Sequence, residues 1–165
     1  MKYTPQDGFS YYFNLVGDVD CRSLFSSPST LKFLKSIDEE KAAYRYASDK
    51  WSIKQVLGHI TDHERIKMFR AFLLSRNESV ELWGYDQEAL VANSRFEELT
   101  WKQLVTDFEN VRKASVSFVE SLSQNQLKIK GKARQNEVTL EDFLKSIIGH
   151  EIHHVNSIKD KYFNH

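Results

Sequence analysis

The chain has 165 residues, and its 23 Lys and Arg balance 23 Asp and Glu, which argues against a nucleic-acid binder with its excess of basic residues. The single cysteine, Cys21, excludes an internal disulfide and a thiolate metal cage, and it fits a reduced, cytoplasmic compartment. No apolar run approaches the ~20 residues of a membrane span, the start MKYTPQDGF lacks a signal-peptide core, and residues 1–165 read as one domain with ample aromatic side chains for its interior.

In chain order, the first expected helix begins after Asp18 and ends near Ile37, with Leu24, Phe25, Leu31, Leu34 and Ile37 on its inner side. Pro28 lies in its middle and should bend it, or start a new helix with Ser27 as cap. No proline follows Trp51, so long helices are permitted from there on. Ser52 and Gln55 form a capping box, and Ile53, Val56, Leu57 and Ile60 keep helical spacing, which predicts a second helix from Ile53 to Arg76. The connection from Asn77 to Glu98 carries Trp83, Gly84, Tyr85 and Asp86 and has room for a short helix around Asp86 to Asn93. Thr100 can cap a third helix lined by Leu104, Phe108, Val111, Phe118 and Leu122. The polar, basic stretch from Asn125 to Val138, with Gly131, reads as extended or mobile. Thr139, with Asp142 three residues on, can cap a fourth helix carrying Leu140, Phe143, Leu144, Ile147, Ile148, Val155 and Ile158. Four amphipathic helices in one chain predict an all-α four-helix bundle, whose core commonly houses metal sites.

The residues that carry chemistry are histidines on the second and fourth helices. Imidazole is the commonest protein ligand for transition metals, and three of them leave positions open for water or substrate. His150 and His154, four residues apart, share one helix face at the margin of the apolar stripe, whereas His153 falls on the polar side with Ser146 and Asp160. His59 flanks the stripe of the second helix together with His63 and Arg70. His63 is therefore a possible fourth ligand, although four protein ligands would close the site. Glu64 and Glu151 project near the centres of their stripes, where a lone carboxylate is costly. Each needs a partner: a ligand imidazole, an arginine such as Arg70, or water. They are candidates either for orienting the imidazoles or for acid–base work, and a structural network between helices explains them equally well.

The stretch EEKAAYRYASDKWSIKQVLGHITDHERIKMFRAFLLSRNE resembles the second-helix region of the DinB-like (YfiT-like) superfamily, and SIIGHEIHHVNSIKDKYF resembles its C-terminal signature. GYDQEALVANSRFEELT and LVTDFENVRKASVSFVESL are also similar to family segments, so the resemblance runs from about Asp18 to the end. It implies a bundle in up-down-down-up order with a long middle crossover, and a divalent metal held by His59, His150 and His154. Nickel and zinc are the metals it points to first, with iron and manganese also found in the family, and it implies a homodimer. The sequence departs from the family at His63, where a small residue often Thr is usual, at Pro28 with its Ser26-Ser27 turn, and at Ala47-Ser48-Asp49-Lys50 in place of a Pro-Gly turn.

Three functions remain open at this level. The first is a thiol S-transferase, in which the metal activates a low-molecular-weight thiol against a small-molecule electrophile, with no protein nucleophile. The second is a hydrolase using metal-bound water, with Glu64 or Glu151 as base. The third is a non-catalytic, metal-stabilised stress-response module. Trp83, Tyr85 and Asp86 are candidates for the pocket mouth, His165 is a bystander, and Cys21 is expected to be a packing residue.

Overall fold

The structure is a computed structural model that describes residues 3–4, 7–77, 85–133 and 136–163. Its first helix, α1 (Phe9–Val16), lies ahead of anything the apolar spacing suggested. The expected bent helix from Asp18 to Ile37 is instead two short ones, α2 (Cys21–Phe25) and α3 (Ser29–Lys35). Asp20, not Asp18, caps α2 by accepting from the Ser23 N–H. The break has a local cause. Pro28 has no N–H to offer the Leu24 carbonyl, and that carbonyl is taken by the Ser27 N–H at 3.2 Å instead. A further turn, α4 (Glu39–Ala43), is capped by Asp38.

The remaining helices follow the expected boundaries closely. Helix α5 (Ile53–Ser75) starts on the Ser52–Gln55 capping box. The middle connection holds α6 (Gln87–Ala92), with Asp86 as its cap. Helix α7 (Trp101–Ser121) starts on a second box, Thr100 with Gln103, and a short α8 (Gln124–Leu127) follows on a third. The extended stretch is an antiparallel pair, β1 (Lys130–Ala133) with β2 (Asn136–Thr139), registered Lys130 to Thr139. Its last residue, Thr139, caps α9 (Leu140–Tyr162) by accepting from the Asp142 N–H.

Side-chain pairings give the directions. Lys54, Arg65 and Phe72 on α5 meet Leu99, Asp107 and Phe118 in ascending order, so α5 and α7 are parallel. Trp51, His59 and Lys67 meet Tyr162, His150 and Phe143 in descending order, so α9 is antiparallel to α5. Arg22 reaches the Leu122 carbonyl while Trp101 donates to the Leu34 carbonyl, so α2 and α3 run against α7. The result is a four-helix bundle in up-down-down-up order, its first position filled by the broken pair α2 and α3. The crossover between Arg76 and Thr100 is what lets neighbouring helices run the same way.

The core forms two clusters, one around Phe25, Val119, Leu140, Phe143 and Leu144, the other around Leu34, Ile53, Leu57, Phe108 and Ile158. Helix α9 differs from its wheel in one respect. Ser146, on the side read as polar, is buried, and His153 is half-buried, because α1 packs across that side. Gly149 permits the crossing: a Cβ there would sit 1.9 Å from the Tyr12 carbonyl oxygen. Gly17, with φ 59° and ψ −151°, turns the chain from α1 toward α2 in a conformation essentially restricted to glycine. Among the described residues, no helix is long and apolar enough to cross a membrane.

Candidate metal centre

Antiparallel α5 and α9 bring His59, His150 and His154 to one point inside the bundle. The Nε2 atoms of His59 and His154 each lie 3.1 Å from Nε2 of His150. One ring nitrogen from each residue falls within 4.8 Å of the others, and the three could hold a metal ion. His59 and His150 are buried to 3% and 4% exposure. Burial pushes the His59 imidazole down to about 4 and holds His150 and His154 well below the usual histidine range. All three are therefore neutral at neutral pH, the form that offers a lone pair to a metal.

The donor set fits a divalent ion better than it fits a hydrogen-bonded trio. A neutral imidazole carries one N–H, so His150 can donate through Nε2 to only one of its two neighbours at a time. If its proton sits on Nδ1 instead, that N–H is buried without a partner among the described residues, and its Nε2 lone pair faces the other two. A shared cation removes the conflict among the facing Nε2 lone pairs, with the His150 proton then on Nδ1. Nitrogens bound at about 2.1 Å to one ion stand ~3.0 Å apart at a right angle and ~3.4 Å apart in a tetrahedron, which brackets the spacing seen here.

Aromatic rings wall the site. The Trp51 and His59 centroids are 5.1 Å apart, and Tyr12 of α1 stands edge-on to His150 at 5.2 Å. His63 is not one of the converging nitrogens. Its ring stacks on His150 at 3.7 Å, and its Nδ1 is hydrogen-bonded to the Tyr85 hydroxyl at 2.5 Å. Tyr85 thus does lie at the site, its phenol pushed up to about 12 by burial although the Arg70 charge works against the shift. Asp86 is exposed and its carboxylate caps α6, accepting from the Glu88 and Ala89 N–H groups. Trp83 and His165 lie outside the described residues. His153 faces α1, its Nδ1 bonded to the Tyr11 hydroxyl at 3.0 Å. Cys21 is fully buried and its thiol is pushed up to about 11 by burial, as suits a packing residue.

Glu64 and Glu151 do not touch the imidazoles. Both bond Arg112 of α7 rather than Arg70. The guanidinium reaches the two Glu64 oxygens through Nε and Nη2 at 3.1 and 2.7 Å, and the same Nη2 donates to Glu151. Burial opposes the Arg112 charge, but Glu151 and Glu64 more than offset it and hold its pKa above the ordinary value. Neither Arg112 nor α1 with Tyr12 was anticipated from the sequence. For Arg112 a signal existed. The buried positions of α7 run Val105, Phe108, Ser115, Val119, and that spacing passes through Arg112 rather than Val111, opposite two acidic residues equally misplaced on their own stripes.

A helical bundle whose two antiparallel core helices present three inward imidazoles is a familiar setting for a metal-binding protein. The chain belongs to the DinB superfamily, which it matches over residues 27–158. Its structure is similar to that of YfiT from Bacillus subtilis, described as a probable metal-dependent hydrolase with an unusual four-helix bundle topology. That match has 16% identity and a TM-score of 0.70 and covers 97% of this chain and 89% of that one. It is also similar to the mycothiol-dependent maleylpyruvate isomerase, at 12% identity and TM-score 0.62, covering 93% of this chain and 62% of that longer one. Identities this low speak to the fold alone. No curated protein matches the sequence.

Proposed function

We propose that this protein is a divalent-metal-dependent enzyme of the thiol S-transferase type, with His59, His150 and His154 as the metal ligands and nickel or zinc as the ion. The observation that carries the metal reading is the meeting of three buried, neutral imidazoles, with Nε2 of His59 and of His154 each 3.1 Å from Nε2 of His150. When bound, such an ion acts as a Lewis acid and lowers the pKa of a sulfur or oxygen it contacts. Three ligands leave positions open, and His63, engaged with Tyr85, does not fill the fourth. That favours a catalytic site over a purely structural one.

The chain's own residues also favour a thiol over water. A base beside the metal-bound water would assist hydrolysis, and the two carboxylates suggested for that task are both held by Arg112. A thiol ionises far more readily and needs no such base. In the proposed step the thiol gives up its proton to bulk water as it binds, its sulfur bonds to an electrophilic carbon, and the leaving group departs with the electron pair of the broken bond. Trp51, Tyr12 and His63 would exclude water from the imidazoles while Tyr85 stands at the entrance. A cytoplasmic setting, where low-molecular-weight thiols are reduced, and a homodimer complete this reading.

Protein purified without a tag or metal resin is expected to carry about one divalent ion per chain by elemental analysis. His150→Ala is expected to carry none. The loaded protein should conjugate at least one member of a panel of cellular thiols to a test electrophile. An unchanged metal content in His150→Ala would sink the ligand assignment, and a loaded, folded protein inert toward the whole panel would sink the transferase reading. A single monomeric species in sedimentation would remove the homodimer.

A further inference from the structure

Three helices of the bundle each place one charged side chain in the middle of an inward face: Glu64 on α5, Arg112 on α7 and Glu151 on α9. Glu64 is 1% exposed and Glu151 is 4% exposed. The Arg112 guanidinium spans them, forked on Glu64 and bonded through the same Nη2 to Glu151. Rings from Phe25 of α2 and Phe108, one turn earlier on α7, lie 5.5 and 5.1 Å from its central carbon. All four positions of the bundle therefore meet at this one side chain.

The two carboxylates sit on the helices that carry the imidazoles, at fixed offsets from them. Glu151 directly follows His150, about 100° round α9, and Glu64 is five residues past His59, about 140° round α5. The imidazoles face one another while the carboxylates face α7. Turning either helix about its axis far enough to carry an imidazole off the common point would also pull its carboxylate off the fork. Metal-bound histidines are usually aimed by an acceptor on the other ring nitrogen. His150 has no such partner among the described residues, and the two acids that might have served are on Arg112. The aim of the imidazoles is thus left to ring packing and to the register of the helices.

We infer that Arg112 is the positioning residue of the metal centre: by holding Glu64 and Glu151 in one fork it fixes the rotation of α5 against α9, and so the spacing of His59 against His150 and His154. This rests on the metal reading above. The role calls for a planar guanidinium, because only a fixed fork of several N–H donors serves two carboxylates in a set direction. A supporting contact of this kind matters because a site loosened by about 1 Å loses its function.

The test is Co²⁺ titration of the full chain, followed by visible absorption, in four proteins: wild type, Arg112→Met, the triple Glu64→Gln/Arg112→Met/Glu151→Gln, and Leu127→Ala. Arg112→Met leaves two buried carboxylates unpaired, and the triple variant removes that penalty. Leu127→Ala lowers stability at a core position on α8, in the layer of Leu140 ten residues before His150. Both Arg112 variants are expected to bind Co²⁺ at least ~10-fold more weakly than wild type, with altered d–d bands, while Leu127→Ala keeps the wild-type affinity and spectrum. Should Arg112→Met not fold, the triple variant carries the comparison. Wild-type affinity and spectrum in the triple variant would overturn the inference, as would an equal loss in Leu127→Ala. A wild-type protein that takes up no Co²⁺ would overturn the metal reading itself.

Discussion

The ring of His63 lies flat on that of His150, 3.7 Å between centroids and 13° from parallel. Its Nδ1 is bonded to Tyr85 at 2.5 Å, and it is not in the group of converging nitrogens. A residue one helical turn past His59, and of the right type to bind a metal, is thereby used as packing. His63→Ala is accordingly expected to keep one ion per chain, with the ion still raising the melting temperature. In His150→Ala the same ion should cause no shift, since an ion that does not bind the folded state cannot stabilise it. Loss of the ion from His63→Ala would make it a ligand after all.

The buried imidazoles predict an acid-labile metal-free protein. His59 is about 4 in the folded state against 6.5 when unfolded, and His63, His150 and His154 are shifted in the same direction by burial. Between those values the unfolded chain takes up protons that the folded chain refuses. Stability is thus fully present above about pH 6.5 and is lost as pH falls toward 4. His59 alone accounts for roughly 3 kcal/mol of that loss. Urea unfolding of metal-free protein at steps from pH 7.5 to 4.5 should show this decline, and a flat profile would contradict it.

Gly149→Ala should detach α1. The new Cβ would meet backbone, the Tyr12 carbonyl at 1.9 Å, which cannot swing aside as a side chain would. Helix α1 must move off α9, exposing Tyr12 and the face of His150. The expected signature is rapid amide exchange across Phe9–Val16 with α5 and α7 still protected. Wild-type protection of α1 in this variant would show that the crossing tolerates a methyl group.

Ser52→Ala should be unusually costly for a cap. The Ser52 hydroxyl accepts from the Gln55 N–H at the start of α5 and donates to Glu97, which also holds Arg45 at 3.0 Å. Loss of a cap costs about 0.5–2 kcal/mol, and this fully buried one should fall at the upper end. Denaturant titration measures it, and a change below about 0.5 kcal/mol would mean that Glu97 and Gln55 find other partners.

The chain's helices were legible wherever local chemistry defines a start. Ser52, Thr100 and Thr139 each satisfy orphan N–H groups three residues on, and α5, α7 and α9 begin after them as expected. The meeting of His59, His150 and His154 was legible too, because residues four apart on a helix must share a face and the family signature pairs that face with His59. Helix α1 was not. Its eight residues are flanked by glycines and have no side-chain cap, and it is held by what it covers on α9. The Ser26–Pro28 break was half-read, since proline announces a bend but not how the chain resumes.

Residue type and spacing by themselves therefore determined which imidazoles could meet and which helices carry them, because both are properties of one helix at a time. Only the tertiary structure decided the partners of Glu64 and Glu151, the packing of His63 and the covering of His153. Each of these depends on which neighbouring helix supplies the opposite charge, the hydroxyl or the ring. Arg112 shows the difference most plainly. On its own helix it is a charge out of place, and it becomes intelligible only when α5 and α9 bring two carboxylates to it.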